Sequence, residues 1–443
     1  MHMRTITFAI ILLCGCAWLN LATAQQTTPP QPANHSATVE ELVKQAKDAY
    51  NKSDHAKSAL LYQEAIAKGA RDLGTLYDAA CSLALAGDKE KAFVLLNQAV
   101  AAGWRRTEHM KTDSDLAALH DDPRWPKLLA ASDAQQAKYE KEHGDPDKAR
   151  FVTEDITRFW AAYDKAMAAA PAERQAIFQS EYIAPGTVGL KDFSSSGRLN
   201  AKTLTAVIAA RPNFFKAIRP LTLGVEKQRA ETVKAFHKFK QLYPAAIFPT
   251  AYFVIGQLSS GGTASNNGLL MGAEMFARTA DVPMSELTDW HKSALMEPGE
   301  VPPLVAHEAV HFQQKYPLQI GLLCDCLKEG SADFLGELTS GRLIKRMQET
   351  HVWANARERE LWEEFQKDMT NTPKSSAHWL YGNSGGNGRP VDLGYWMGYK
   401  ISAAYYKNAA DKRQAVRDIL IVKDCQTFLQ QSRYAEQFAS GQK

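Results

Sequence analysis

The stretch "PPLVAHEAVHFQQ", Pro302 to Gln314, carries His307, Glu308 and His311 in the order His-Glu-x-x-His. Two prolines open it, and proline suits a first helical turn, where the N–H it lacks would have no partner. No breaker follows before Gln314, so the stretch is predicted to be a helix. His307 and His311 then share one face, and both imidazoles can reach a single ion. Glu308 lies one step round. There it can accept a proton from metal-bound water without ligating the metal.

A catalytic zinc ion takes three protein donors and keeps one place for water, so a third donor is needed. Eighteen positions past His311 comes Glu329, within "CDCLKEGSADFLGEL", Cys324 to Leu338. Asp325, Glu329, Asp333 and Glu337 are four apart and form one helical row of carboxylates, which repel one another at that spacing. Apolar residues surround the row: Leu322, Leu323, Cys326, Leu327, Phe334, Leu335 and Leu338. Acids on so apolar a helix call for a cation. Gly330, beside Glu329, is expected to let this helix approach the histidine helix.

His-Glu-x-x-His followed on a second helix by Glu-x-x-x-Asp resembles the gluzincin metallopeptidases. The wording "HEAVHFQQ…KEGSADF" is similar to a bacterial family of secreted or lipid-anchored predicted zinc proteases. The resemblance covers roughly the second half of the chain. It implies one Zn2+ held by His307, His311 and Glu329, with Glu308 as general base. It implies that Asp333 orients a zinc-bound imidazole through its other ring nitrogen. The gap from His311 to Glu329 is shorter than in the best-known gluzincins, which leaves Asp325 and Asp333 open as ligands. "GAEMF", Gly272 to Phe276, distantly resembles the element with which aminopeptidases hold a free amino terminus, with Glu274 as the amine binder. An oxyanion stabiliser is expected past the second helix, among His378, Tyr381, Arg389, Tyr395 and Tyr399. Tyr395 is the preferred catalytic candidate, and Arg389 is taken as a substrate-binding one.

Upstream of the histidine helix, "IFPTAYFVIGQ", Ile247 to Gln257, is β-branched and aromatic with no helical period and reads as a strand. "SSGGTASNNG", Ser259 to Gly268, reads as a flexible loop. "LLMGAEMFA" reads as a second strand, which lines the cleft and pairs with an extended substrate. From Phe151 to about Tyr243 the text is helical and amphipathic.

Nearer the N-terminus the chain repeats itself. "AYNKSDHAKSALLYQEAIAKGAR", from Ala49, and "LALAGDKEKAFVLLNQAVAAGWR", from Leu83, align at an offset of 34. Asp54 falls over Asp88, Ala65 over Ala99, Gly69 over Gly103 and Arg71 over Arg105. A 34-residue period with small residues at the helix crossings (Ala46, Ala80, Ala65, Ala99) and Tyr62 or Leu96 beside them resembles the tetratricopeptide repeat. Trp125 and Leu128 are placed to seal the open end. Such a unit either binds a protein partner or positions the domain that follows.

"MHMRTITFAIILLCGCAWLNLATAQQ" has an early Arg4, an apolar run and small residues at Ala22-Thr23-Ala24, the pattern of a cleaved export signal. Leu13-Cys14-Gly15-Cys16 resembles a lipobox, which keeps a lipid anchor on Cys16 open. The protein is expected to be periplasmic or secreted, with no membrane span once the signal is removed. In an oxidising compartment Cys425 can bridge to Cys324 or Cys326; those two cannot bond each other across one helix. A formal net charge of +3 is too weak a bias for a nucleic-acid partner.

The expected fold is mainly α with a small β-sheet: an N-terminal tetratricopeptide-like α-solenoid, then an α+β zincin-like domain. The expected divisions are a signal at 1–24, a tether at 25–37, repeats at 38–133, a charged connector at 134–150 and the α+β domain at 151–443. Three readings stand. The leading one is an exported zinc peptidase acting on a peptide or protein substrate. The second is an envelope repeat protein with a structural or vestigial metal site. The third is a zinc hydrolase of a non-peptide amide or ester, since fold does not fix substrate.

Overall fold

A computed structural model describes residues 37–317, 321–369, 376–381 and 388–439. The export signal, Cys16 and nearly all of the tether lie outside the described residues. The chain is mainly α with one small sheet. No helix among the described residues is long and apolar enough to cross a membrane.

Two helical hairpins come first: α1 (Val39–Asn51) with α2 (His55–Ala67), and α3 (Leu73–Leu85) with α4 (Lys89–Ala101). The second helix of each pair starts identically. Asp54 accepts from the Lys57 N–H and Asp88 from the Lys91 N–H, satisfying groups that have no partner within the helix. Both end at a left-handed glycine, Gly69 at φ +106° and Gly103 at φ +113°, which only a residue without Cβ adopts freely. Ala46, Ala65, Ala80 and Ala99 are each fully buried, so backbones approach closely at these crossings. Tyr77 stacks on Trp104 at 3.9 Å, and α5 (Trp125–His143) closes the stack with Trp125 and Leu128 in the same apolar cluster.

A separate core runs from Ala149 to Tyr434. Its sheet has the order β1-β2-β4-β3: β1 (Phe151–Val152), β2 (Ala251–Val254), β3 (Gly262–Ser265) and β4 (Gly268–Gly272). β1, β2 and β4 are parallel, and β3 returns antiparallel to β4 with Ser265 opposite Gly268. Here the structure corrects the sequence reading three times. The helical text from Phe151 opens on a strand. The supposed flexible loop, Ser259 to Gly268, contains β3. The expected second strand stops at Gly272, and Glu274 stands in the short helical turn that follows. The cause is burial. β4 is buried at all five positions, between two strands, so it reads as a plain apolar run. β3 is made of Gly-Thr-Ala-Ser and carries no apolar alternation to read.

The histidine helix, α6 (Val301–Gln313), is central, with every residue from Val301 to Val310 buried. A helix covered on all sides loses its amphipathic stripe. It packs on β3 and β4 on one side and on α7 (Leu322–Ser340) on the other. Its C-terminal end is fixed by Gln313, whose amide accepts from the Ile247 N–H and donates to the Ile247 carbonyl. α7 in turn lies along α8 (Leu393–Asn408). Gly330 serves this second contact rather than the expected one: a Cβ there would stand 2.2 Å from the Tyr399 nitrogen on α8. The glycine that faces the histidine helix is Gly336, where a Cβ would meet His307 at 3.3 Å. Cys324 pairs with Cys425, tying the start of α7 to the helix Cys425–Ser432, while Cys326 is free and buried.

Candidate metal centre

Two helices bring His307, His311 and Glu329 together, with donor atoms all within 4.8 Å of one another. His307 Nε2 stands 3.0 Å from His311 Nε2, and Glu329 Oε2 stands 3.2 Å from His311 Nε2 and 3.9 Å from His307 Nε2. A tetrahedral ion with bonds of about 2.0–2.2 Å spans donor pairs of roughly 3.3–3.5 Å, close to this triangle.

The protonation of the two rings decides what the triangle can hold. His307 Nδ1–H donates to Asp333 Oδ1 at 2.8 Å. His311 Nδ1 faces Gln314 Oε1 at 2.8 Å. The Gln314 amide cannot be turned round, because its nitrogen donates to the Lys328 carbonyl at 2.7 Å and to Ser331 Oγ at 2.9 Å. Both Nδ1 atoms therefore carry hydrogen, and in the neutral rings both Nε2 atoms present lone pairs. Two lone pairs and a carboxylate oxygen then face one point, which only a proton or a metal cation relieves. Neutral imidazoles with a carboxylate are a zinc donor set, and the acceptors behind the rings fix their orientation.

The charges support the same geometry. Burial opposes a charged His307, but the carboxylates of Asp333, Glu308 and Glu329 outweigh it and carry the imidazole up to about 9. Burial also works against a charged Glu329, yet His311, His307 and the Tyr381 hydroxyl hold its carboxyl well below the usual range. Asp325 is half-buried and outside the triangle, and Asp333 stands behind His307, so the donor set takes Glu329 from the carboxylate row.

Glu308 differs from every other acid in the site. It is 6% exposed and makes no hydrogen bond or ion pair among the described residues. Burial pushes its carboxyl up and Glu329 adds to that, while His307, His311 and Arg198 pull the other way. A buried carboxylate with no partner and a raised pKa is suited to accept and release a proton. β3 lies directly over it. A Cβ on Gly262 would stand 2.7 Å from Glu308 Oε1, so any larger residue there would displace the Glu308 carboxyl.

The remaining predicted residues divide. Tyr395 stacks near the His307 ring at 6.3 Å, and the residue whose hydroxyl touches the donor set is Tyr381, at 2.7 Å from Glu329 Oε1. Glu274 is fully buried and accepts from the Gly256 and Leu258 N–H groups; burial carries its carboxyl up to about 7. It braces the turn after β2 and presents nothing to a substrate amine, which overturns the amine-binding role. Arg389 pairs with Glu364 at 2.9 Å, and His378 does the same at 2.7 Å. Arg389 keeps Nε and Nη2 buried without a hydrogen-bond partner among the described residues, and Tyr399 donates to Glu337 at 2.5 Å. The substrate-pairing role expected of the second strand is also overturned: β4 has a strand on each side, and the edges of the sheet are β1 and β3, of which β3 is the one beside Glu308.

Two residues were missed. Gln314 closes the opening stretch itself, and a glutamine three residues past a ligand histidine on one helical turn is a readable signal. Arg198 lies more than 100 positions before Glu308 in the sequence, and the fold brings its charge near enough to draw the Glu308 carboxyl down. The segment around it is tied at three points to the loops that flank β3. Asp192 accepts from the Asn267 amide at 2.8 Å, the Arg198 carbonyl accepts from Ser259 Oγ at 2.9 Å, and Asn200 N–H donates to Gln257 Oε1 at 3.1 Å.

A family model described as gliding motility protein GldB, and labelled as a lipoprotein family, matches residues 163–436, more than half of the chain. No curated protein and no solved structure matches the chain.

Proposed function

The chain belongs to the gliding motility protein GldB family, and from that premise and the donor geometry we propose that it is an envelope zinc-dependent peptidase. The family description names a motility role and no chemistry, so the chemical half of the proposal rests on one observation: two Nε2 lone pairs and a carboxylate converge on one point beside an unpartnered carboxylate, Glu308. A structural zinc site is closed by four protein donors and has no use for such a base. The resemblance to gluzincins points the same way.

His307, His311 and Glu329 would hold the ion. Zinc, when bound, polarises the scissile carbonyl and lowers the pKa of the attacking water. Asp333 and Gln314 keep the two imidazoles in the ligating tautomer, and Tyr381 holds Glu329 by its other oxygen. A Glu308 carboxylate oxygen takes the proton from the attacking water and passes it to the leaving nitrogen. The free edge of β3 offers backbone groups on which an extended peptide can align. Export by the N-terminal signal, with lipid on Cys16, fits the family label, and the helical hairpins would recruit or position a protein partner.

Metal analysis together with peptide cleavage tests this. One zinc per chain is expected in the parent and in Glu308→Gln, with cleavage of a peptide library by the parent alone. Zinc should be lost in Glu329→Ala and kept in Asp325→Ala. A parent that binds no zinc sinks the proposal. Zinc without cleavage transfers the protein to a binding role within its family.

A further inference from the structure

Glu329 has two carboxylate oxygens, and the fold uses them differently. Oε2 faces the two imidazoles, while Oε1 accepts from the Tyr381 hydroxyl at 2.7 Å. Tyr381 is 72% exposed, so burial does not hold it there. Its backbone is held instead. Tyr381 has φ +56°, a left-handed conformation that is unfavourable for a bulky residue. Its N–H donates to Asp392 Oδ1 at 3.0 Å, and the other oxygen of Asp392 accepts from Arg346 Nη1 at 2.8 Å. Asp392 is itself left-handed, at φ +59°. Two non-glycine residues with this backbone are thus bonded to each other beside the donor triangle. Such strain persists where surrounding contacts over-determine the conformation, and it gathers at functional sites.

The frame behind this brace is tightly packed. Asp392 directly precedes α8, and its carbonyl accepts from the Tyr395 N–H at 3.0 Å. α8 lies against α7 with no room to slide. A Cβ on Gly398 would meet the Cys326 carbonyl oxygen at 1.8 Å, and one on Gly330 the Tyr399 nitrogen at 2.2 Å. Asp392 and Glu329 are thereby fixed relative to each other through two helices. The consequence concerns the metal. A carboxylate with both oxygens free can chelate, and would then take the place that a catalytic zinc keeps for water. Resting on the metal centre of the peptidase reading, we propose that the Tyr381 hydroxyl confines Glu329 to one metal-facing oxygen, and that Asp392 and Arg346 are positioning residues that hold Tyr381 to this task. A chain of hydrogen bonds, none of whose members touches the metal, keeps the coordination place open.

Cobalt(II) in place of zinc gives a readout other than turnover, because its visible absorption is strong in four-coordinate sites and weak at higher coordination. The cobalt-loaded full chain should show the strong band. Tyr381→Phe should lose most of that band as Glu329 binds through both oxygens. Asp392→Gly keeps the left-handed backbone but has no acceptor, and should lose the band likewise. Asp392→Asn keeps an acceptor and tolerates the same backbone, so it should retain part of it. Arg346→Gln, at a side chain that is 40% exposed, should give a smaller loss without endangering the fold. Asp392→Gly added to Tyr381→Phe should cause no further loss, since the first acts through the second. An unchanged spectrum in Tyr381→Phe overturns the proposal. An unchanged spectrum in Asp392→Gly, or a loss that adds in full to that of Tyr381→Phe, overturns the positioning role. A parent that takes up no metal removes the metal centre and this proposal together. A parent with the strong band that cleaves no peptide removes the peptidase reading alone.

Discussion

Among the described residues two places gather side chains of the types that can ligate a metal, and they are not alike. In the hairpin region Cys81, Asp113 and Asp115 lie within 4.8 Å of one another; in the α+β region His307, His311 and Glu329 do the same. The first cluster satisfies itself. Tyr77 donates to Asp113 Oδ2 at 2.9 Å, Tyr50 donates to Asp115 Oδ2 at 2.6 Å, and Asp113 caps the short turn Ser114–Leu119. Burial, with Asp113 and Asp115 beside it, pushes the Cys81 thiol far up and keeps it protonated. In the second cluster the hydrogens point outward, to Asp333 and Gln314, and the lone pairs point inward. Proximity of ligand-type residues is therefore a poor criterion; the direction of the donors decides which cluster wants a cation.

The comparison can be broken most decisively at Glu308. Glu308→Gln should lower peptide turnover by about 10²–10⁴-fold while the protein keeps its zinc, read from initial rates and metal content together. Zinc lost along with activity would mean that Glu308 is a ligand. Next comes Gln314→Ala, expected to weaken zinc about 10–100-fold in a chelator competition, because His311 then loses the partner that fixes its tautomer. Asp113→Asn, in the other cluster, should leave zinc binding intact. It should cost about 1–3 kcal/mol in unfolding experiments through the mismatched Tyr77 hydroxyl and the weakened cap. Zinc affinity that follows Asp113 rather than Gln314 would reverse the assignment of the two clusters.

The smallest effect concerns pH. In the metal-free protein His307 has a folded-state pKa of about 9, above its ordinary 6.5. Its contribution to stability is fully present below the ordinary value and is lost as pH rises through about 9, with a slope of at most about 1.4 kcal/mol per pH unit. Thermal melts of the metal-free chain between those values should show this slope. His307→Gln should flatten it, and zinc should abolish it by replacing the proton. An equal slope in His307→Gln would place the titrating group elsewhere.

Much of the site was legible because its chemistry is local. His307, Glu308 and His311 sit within one helical turn or so, and the step from Glu329 to Asp333 is a second such turn, so helical periodicity places them without any knowledge of the fold. The 34-residue offset was legible for the same reason: Asp54 and Asp88 cap, and Gly69 and Gly103 terminate, by rules that act over a few residues. The failures share the opposite cause. Glu274 looked like a substrate contact until its carboxylate was seen bonded to Gly256 and Leu258. β3 has no hydrophobic alternation, since what fixes it is pairing with β4 and the close passage of Gly262 over Glu308.

The sequence by itself determined the helices, their caps and the placing of His307, Glu308 and His311 within about one helical turn, because hydrogen bonds within one turn set them. Only the tertiary structure decided that Glu329 and not Asp325 completes the triangle and that Gln314 fixes a tautomer. It alone placed the sheet edge over Glu308 and Cys324 with Cys425. Each of these depends on the packing of segments distant in the chain, and no local propensity carries that information.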